Sequence, residues 1–395
     1  MSQQLISRSP DLQKLRDEGY DIEIRTGHLL VKSVPYVNSK KEVRRGTLVA
    51  ALGDVSGDQL SRPSDHTLYF IGEYPCGADG TAIEKIGNNS DTTTLGRGLI
   101  VNHRFSARPQ VEGNNYSDFH HKMTIYVAIL SGPAQQIDPK ADARTGIIVE
   151  PTEEESPFCY LDSSSTRAGI GAITAKLEAR KIAIIGAGGT GSYLLDLVTK
   201  TPVAEIHLYD GDIFSNHNAF RSPGAPSLEE LKARPTKARY FRDRYAKMHR
   251  KVFAHEVFLD ETTIEELRAM DFVFLCLDRG GDKQLIVEKL EEWGKPFIDV
   301  GVGVALCGDT LRGSLRVTLS TPQKRDHFRK RVPFSEGGVE NDYSRNVQIA
   351  ELNALNAALA VIRWKRLCGF YQDLEREHCS VYTINGNHMA NEDQA

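Results

Sequence analysis

Lys181-Ile-Ala-Ile-Ile-Gly186-Ala-Gly188-Gly189-Thr-Gly191-Ser192 is the stretch that decides the fold of this chain. The four apolar residues after Lys181 read as a strand buried on both faces, and the glycines follow at once. Gly186 permits a tight turn, Gly188 and Gly189 let backbone N–H groups approach an anion, and Gly191 lets a helix pack close against the strand. That helix, expected from Thr190 to about Lys200, turns its positive N-terminus toward the same anion. By itself the turn suits a dinucleotide or a nucleoside triphosphate equally.

Outward from the turn, strands and helices alternate. Glu205–Tyr209, Val252–Phe258, Asp271–Leu277 and Pro296–Val300 read as strands. Lys232–His249, Thr262–Met270, Lys283–Trp293 and Asn346–Leu367 read as helices, and Leu311–Thr318 as an antiparallel extension. Strands apolar on both faces, separated by helices, predict an α/β fold with a mostly parallel sheet covered on both sides. The first 150 residues differ in texture. Segments such as Asp21–Arg25, His28–Val34, Thr67–Gly72 and Met123–Leu130 are separated by Gly, Asn, Asp and Pro clusters, which predicts a β-rich domain. The expected organisation is therefore a β-rich N-terminal domain over 1–150, a linker over 151–166, the α/β domain over 167–384, and a flexible polar tail over 385–395.

Composition narrows the function classes. The chain has 395 residues, 26% charged and 40% apolar, with a formal net charge of -4, which gives no global pull toward nucleic acid. No apolar run reaches the roughly 18 residues of a membrane span, and the first residues do not read as a signal peptide. The six cysteines are dispersed without a Cys-x-x-Cys pair, so neither a zinc clamp nor a disulfide framework is expected. A cytoplasmic setting is the simplest reading.

The residues behind the glycine turn choose its ligand. Asp210 and Asp212 end the second strand, Asp210 at the spacing of a ribose contact. Asn218 and Arg221 follow, then Lys237, then Asp278 at the end of an apolar strand. Cations that neutralise phosphate oxygens and a carboxylate for a hard metal are what a triphosphate with Mg²⁺ requires. This ordered set, Asp210-x-Asp212, Asn218, Arg221, Lys237 and Asp278, resembles the ubiquitin-activating-enzyme-like ThiF/MoeB superfamily of adenylyltransferases. His217 and Ser222 stand where the family signature has Ser and Gln. The resemblance covers about residues 167–320.

The resemblance implies a Rossmann-like fold of the ThiF/MoeB type, with ATP and Mg²⁺ as cofactors. It implies that Gly186, Gly188, Gly189, Gly191, Asp210 and Asp212 hold the nucleotide, and that Asn218, Arg221 and Lys237 contact its phosphates. Asp278 would be the metal ligand, and Arg167 an arginine contributed across a homodimer. The implied reaction is adenylation of the C-terminal carboxylate of a ubiquitin-like protein. With its extra N-terminal domain the chain is similar to bacterial ThiF-type activating enzymes from ubiquitination-like operons, associated with defence. A ubiquitin-like protein and a conjugating-enzyme-like protein are the implied partners, with no nucleic acid or membrane.

The stretch Ser320–Tyr343, where relatives carry a transfer cysteine, has none. Cys307, in an apolar run, is expected to be packed, which leaves Ser320, Thr321 or Ser335 as hydroxyl acceptors. Two other readings remain at this point: an NAD(P)-dependent oxidoreductase, which leaves Asn218, Arg221, Lys237 and Asp278 without a role, and a scaffold that has lost catalysis. His66, His103, His120 and His121 follow no metal-ligand spacing, and on a strand His120 and His121 would face opposite ways.

Overall fold

The computed structural model describes residues 6, 9–53, 55–56, 59–96, 98–109, 115–147, 153, 156–160, 162, 164–165, 168, 170–277, 280–334 and 347–394. Arg167, Asp278 and Ser335, named above, lie outside these residues, as does most of the later half of Ser320–Tyr343. The chain divides into two compact units, residues 1–151 with 160–170, and 152–159 with 171–395.

The first unit is built on a six-stranded antiparallel sheet, in the order Ile22–Arg25, His28–Val37, Val43–Ala51, Thr67–Ile71, His103–Ser106, Gly87–Asn89. One face is covered by the helix Phe119–Ile137, which packs Phe119, Met123, Tyr126 and Leu130 against Leu29, Val31, Leu48 and Phe70. Those helix positions recur at three- and four-residue spacing, the signature of one helical face. Asp118 starts the helix by accepting the N–H of His121 at 2.7 Å. Met123–Leu130 is therefore helical rather than a strand. Its β-branched run is overridden by this cap and by the apolar face. His120 and His121 are neighbours on that helix, and His120 meets Glu18 at 3.0 Å.

The second unit is α/β. Its eight-stranded sheet runs Val252–His255, Glu205–Tyr209, Lys181–Ile185, Phe272–Leu275, Phe297–Cys307, Thr310–Ser320, Cys379–Thr383, His388–Glu392. The first five strands are mutually parallel and the rest antiparallel. Alternation on the Lys181 strand supplies both sides of the core. Ile182 and Ile184 join Leu194, Phe241 and Trp364, while Ala183 and Ile185 join Val273, Ile286 and Leu290. The Lys181 strand occupies the middle of the parallel set, with its successors on one side and the Phe272 and Phe297 strands on the other. Strand order reverses there, so the crevice at its carboxyl end is where such sheets hold ligands.

Several expectations are corrected. Lys232–His249 is two helices, Leu228–Ala233 and Lys237–Tyr245. Arg234 caps the first helix in the left-handed region at φ +47, and Pro235, lacking an N–H, cannot continue it. Thr262–Met270 tightens to a 3₁₀ helix at Ile264–Ala269. Cys307 is exposed rather than packed. The Phe297–Thr310 hairpin outruns the Phe272 strand, which pairs only with Phe297–Asp299, so its tip has no sheet beside it. The polar tail is not frayed: His388–Glu392 pairs with Cys379–Thr383, and Asp393 accepts from Arg331 at 2.9 Å. Ser320 is fully buried, and the buried Thr321 hydroxyl accepts the Lys324 N–H at 3.2 Å, so neither is an open acyl acceptor.

Candidate functional site

The glycine turn lies at the switch point, and each glycine answers to a different neighbour. Gly186 takes φ +92, and a Cβ there would lie 2.6 Å from the Cys276 carbonyl oxygen. A Cβ on Gly191 would fall 1.8 Å from the carbonyl oxygen of Gly186, and one on Gly189 2.1 Å from Asn353 Nδ2. Beside Gly188 nothing lies within 4 Å. Gly188 is thus the glycine whose smallness keeps space open, whereas the other three are small because protein packs against them. No side chain caps the helix Gly189–Val198, so its first N–H groups keep their capacity for an anion.

Asp210 locks the turn. It is buried, and its Oδ2 accepts the Ala187 N–H at 2.7 Å while Oδ1 accepts the Asp212 N–H at 2.9 Å. Burial pushes its carboxyl above the ordinary pKa, opposed by the Lys237 ammonium 3.8 Å away and by those two N–H groups. Lys237 opens its helix behind Thr236, whose hydroxyl accepts the Arg239 N–H at 3.2 Å. Its Nζ donates to Asp212 Oδ2 at 2.7 Å. Asp212 is half exposed, whereas the Lys237 side chain is buried, so the pair sits at the mouth with the cation inward.

Arg221 also lines this cleft, with Asp282 and Gln348. Asn218 does not line it. Its Oδ1 accepts the Ser215 N–H at 2.9 Å, closing the short helix Asn216–Ala219, and its buried Nδ2 has no hydrogen-bond partner. The neighbouring His217 is held below the usual imidazole pKa, by burial first and then by Arg221 and Lys237. An apolar wall of Val257, Phe258, Leu259, Leu277 and Ile286 bounds another side of the cleft. Phe258 is 51% exposed, unusual for a large apolar ring.

The cleft thus joins Gly186, Gly188, Gly189, Gly191, Asp210, Asp212, Arg221 and Lys237. Sequence reasoning passed over Asp282, the apolar wall, Thr190 and Asn353. The half-exposed Phe258 ring has no local signature, and Asn353 is 163 residues from its partner Thr190. Among the described lining side chains are three carboxylates, Asp210, Asp212 and Asp282, and two cations, Arg221 and Lys237. That donor set suits a phosphate chain accompanied by a divalent cation, because Mg²⁺ binds through one or two carboxylates plus phosphate oxygens. No cluster of three or more His, Cys, Asp or Glu able to hold a metal alone occurs among the described residues.

Fold and cleft define a Rossmann-like α/β protein whose ligand crevice opens at the switch point of a largely parallel sheet. Residues 166–361 match the ThiF family, so the C-terminal part of this chain is a ThiF family domain. Residues 10–163 match a domain of unknown function, DUF6791. Among solved structures, the chain is similar to E. coli MccB with ATP, at 17% identity and TM-score 0.46, covering 56% of this chain and 66% of that one. It is similar to E. coli MccB with MccA-N7isoASN at 18% identity and TM-score 0.46, covering 56% and 67%. A selenomethionine PaaA structure matches at 17% identity and TM-score 0.44, covering 56% and 66%. The chain therefore spans about two thirds of the length of these structures. No curated protein matches it. No helix among the described residues is long and apolar enough to cross a membrane.

Proposed function

We propose that this chain uses ATP with Mg²⁺ to adenylate the C-terminal carboxylate of a ubiquitin-like protein, releasing pyrophosphate. The observation that carries the reading is the meeting of Arg221, Lys237 and an uncapped helix N-terminus beside an apolar wall, in one cleft of a ThiF family domain. In the reaction a carboxylate oxygen attacks the α-phosphorus, the bond from that phosphorus to the bridging oxygen breaks, and pyrophosphate departs with the electron pair. Two anions must be brought together, so the protein's task is alignment and charge offset.

The apolar wall gives the base a flat surface to lie on, and the open side of Gly188 admits the phosphates. Lys237 carries three N–H donors and spends one on Asp212, so its ammonium serves a phosphate oxygen without abandoning the carboxylate. Arg221 offers its planar fork to phosphate oxygens. Asp278 would hold Mg²⁺ with phosphate oxygens, and the metal supplies further charge neutralisation when bound. Arg167 is assigned to the partner's site in a homodimer. A nicotinamide dinucleotide fits the turn and Asp210 but leaves the inward cations without a role.

The test is ATP–pyrophosphate exchange by the full chain with Mg²⁺ and a ubiquitin-like protein ending in Gly-Gly. Exchange that requires both the protein and its free C-terminal carboxylate is expected. Exchange that ignores the added protein would reject the co-substrate assignment, and no Mg·ATP binding would reject the activity.

A further inference from the structure

The geometry points to Asn353 as a positioning residue that holds Arg221 and the glycine turn in one fixed arrangement around the phosphates. This rests on the ATP reading above. Asn353 sits one turn into the helix Ala350–Leu367 and is 1% exposed. Its Oδ1 accepts the Thr190 hydroxyl at 3.0 Å, and its Nδ2 donates to the Arg221 carbonyl oxygen at 3.3 Å. Its amide also fills the place where a side chain on residue 189 would lie.

Two segments far from residue 353 in sequence thus meet on one amide. Thr190 belongs to the first turn of the Gly189 helix, whose N-terminus has no side-chain cap. Arg221 begins the loop that follows the helix Asn216–Ala219. The Asn353 amide hydrogen-bonds to both pieces and so links them. An amide suits the task because it accepts from a hydroxyl on one side and donates to a carbonyl on the other. A carboxylate would face the Arg221 carbonyl with like charge, and an apolar side chain would remove both hydrogen bonds. Because a buried amide has little freedom, it fixes the distance from the helix N-terminus to Arg221, and with it the span that one triphosphate must bridge.

Calorimetric binding of Mg·ATP and of adenosine to the full chain tests this. Asn353→Ala is expected to weaken Mg·ATP by about 10-fold, the size of one charge-assisted hydrogen bond, while adenosine changes by less than about 2-fold. In an Arg221→Ala background the same substitution should cost less than about 2-fold further, since its effect passes through Arg221. Thr190→Val, a gentler lesion, should act in the same direction by about 3-fold and serves if Asn353→Ala fails to fold. Arg363→Ala is the stability control. It breaks the buried pairing of the same helix with Asp373 at 3.0 Å and Glu377 at 3.3 Å, and should lower Tm without weakening Mg·ATP. Equal losses of ATP and adenosine, unchanged ATP affinity in a folded Asn353 or Thr190 variant, or additive effects with Arg221→Ala would each overturn the assignment. Wild-type protein that binds adenosine and ATP alike would instead overturn the ATP reading on which it stands.

Discussion

Alanine at Gly191 and alanine at Gly188 should damage two different properties, and the pair separates packing from ligand space. The new Cβ at Gly191 meets the Gly186 oxygen at 1.8 Å and its carbon at 2.9 Å, with Cys276 Cβ at 3.3 Å. All that the closest contacts involve is backbone, so the Gly189 helix must move away from the strand end by more than an ångström. Overpacking in a tight interior costs about 1–3 kcal/mol, and a backbone clash belongs at the upper end. For a unit of this size about 3 kcal/mol lowers Tm by roughly 6–12 °C. Gly188, by contrast, has φ -72 and open space beside it, so alanine there should leave Tm within about 1–2 °C. On the proposed ATP reading it intrudes where phosphates would approach the backbone, and losing one charge-assisted contact should weaken Mg·ATP by about 10- to 100-fold. Thermal unfolding without nucleotide, alongside ATP titration, reads both effects. A Gly188→Ala protein that binds Mg·ATP like wild type would refute the reasoning, as would a Gly191→Ala protein with the native Tm.

Asp278→Ala should abolish ATP–pyrophosphate exchange while preserving adenosine binding; near-normal turnover would remove Asp278 from the metal assignment. Phe258→Ala should weaken adenosine by about 5- to 10-fold, the size of a ring contact of about 1 kcal/mol, and leave inorganic pyrophosphate binding unchanged. His249 gives a pH prediction. Burial holds its imidazole below the usual pKa, against the backbone hydrogen bonds that favour its charge. The unfolded chain therefore takes up the proton first, near pH 6.5. Stability is present above that pH and is lost as pH falls below it, by at most about 1.4 kcal/mol per pH unit. Urea unfolding of His249→Gln between pH 6.5 and 5 should show a shallower loss than wild type, and an equal slope would exclude His249 as a contributor.

What could be read from sequence followed locality. The Glu205–Tyr209 strand was legible to the residue because Ile206, Leu208 and Tyr209 are buried in the sheet while Glu205 and His207 stay half-exposed. The glycine turn was legible because a strand, a positive φ and a helix start occupy seven consecutive residues. Phe119–Ile137 was misread because Thr124, Ile125, Tyr126 and Val127 favour strands, although Phe119, Met123, Tyr126 and Leu130 carried the helical spacing. Cys307 was misread because an apolar run predicts burial only if something lies beside it, and the neighbouring strand ends too soon. Asn353 left no local trace at all: its meaning depends on Thr190 and Arg221, which only the folded sheet brings near.

The Thr190–Asn353 hydrogen bond spans 163 residues, and that has a consequence for the order of events during synthesis. The glycine turn is synthesised before the amide that completes it, which follows about 8–33 s later at common elongation rates of about 5–20 residues per second. During that interval the nascent chain has the turn without its clasp. Under the proposed ATP reading, nucleotide capture therefore waits for residue 353, and a chain that stops before it lacks the full cradle.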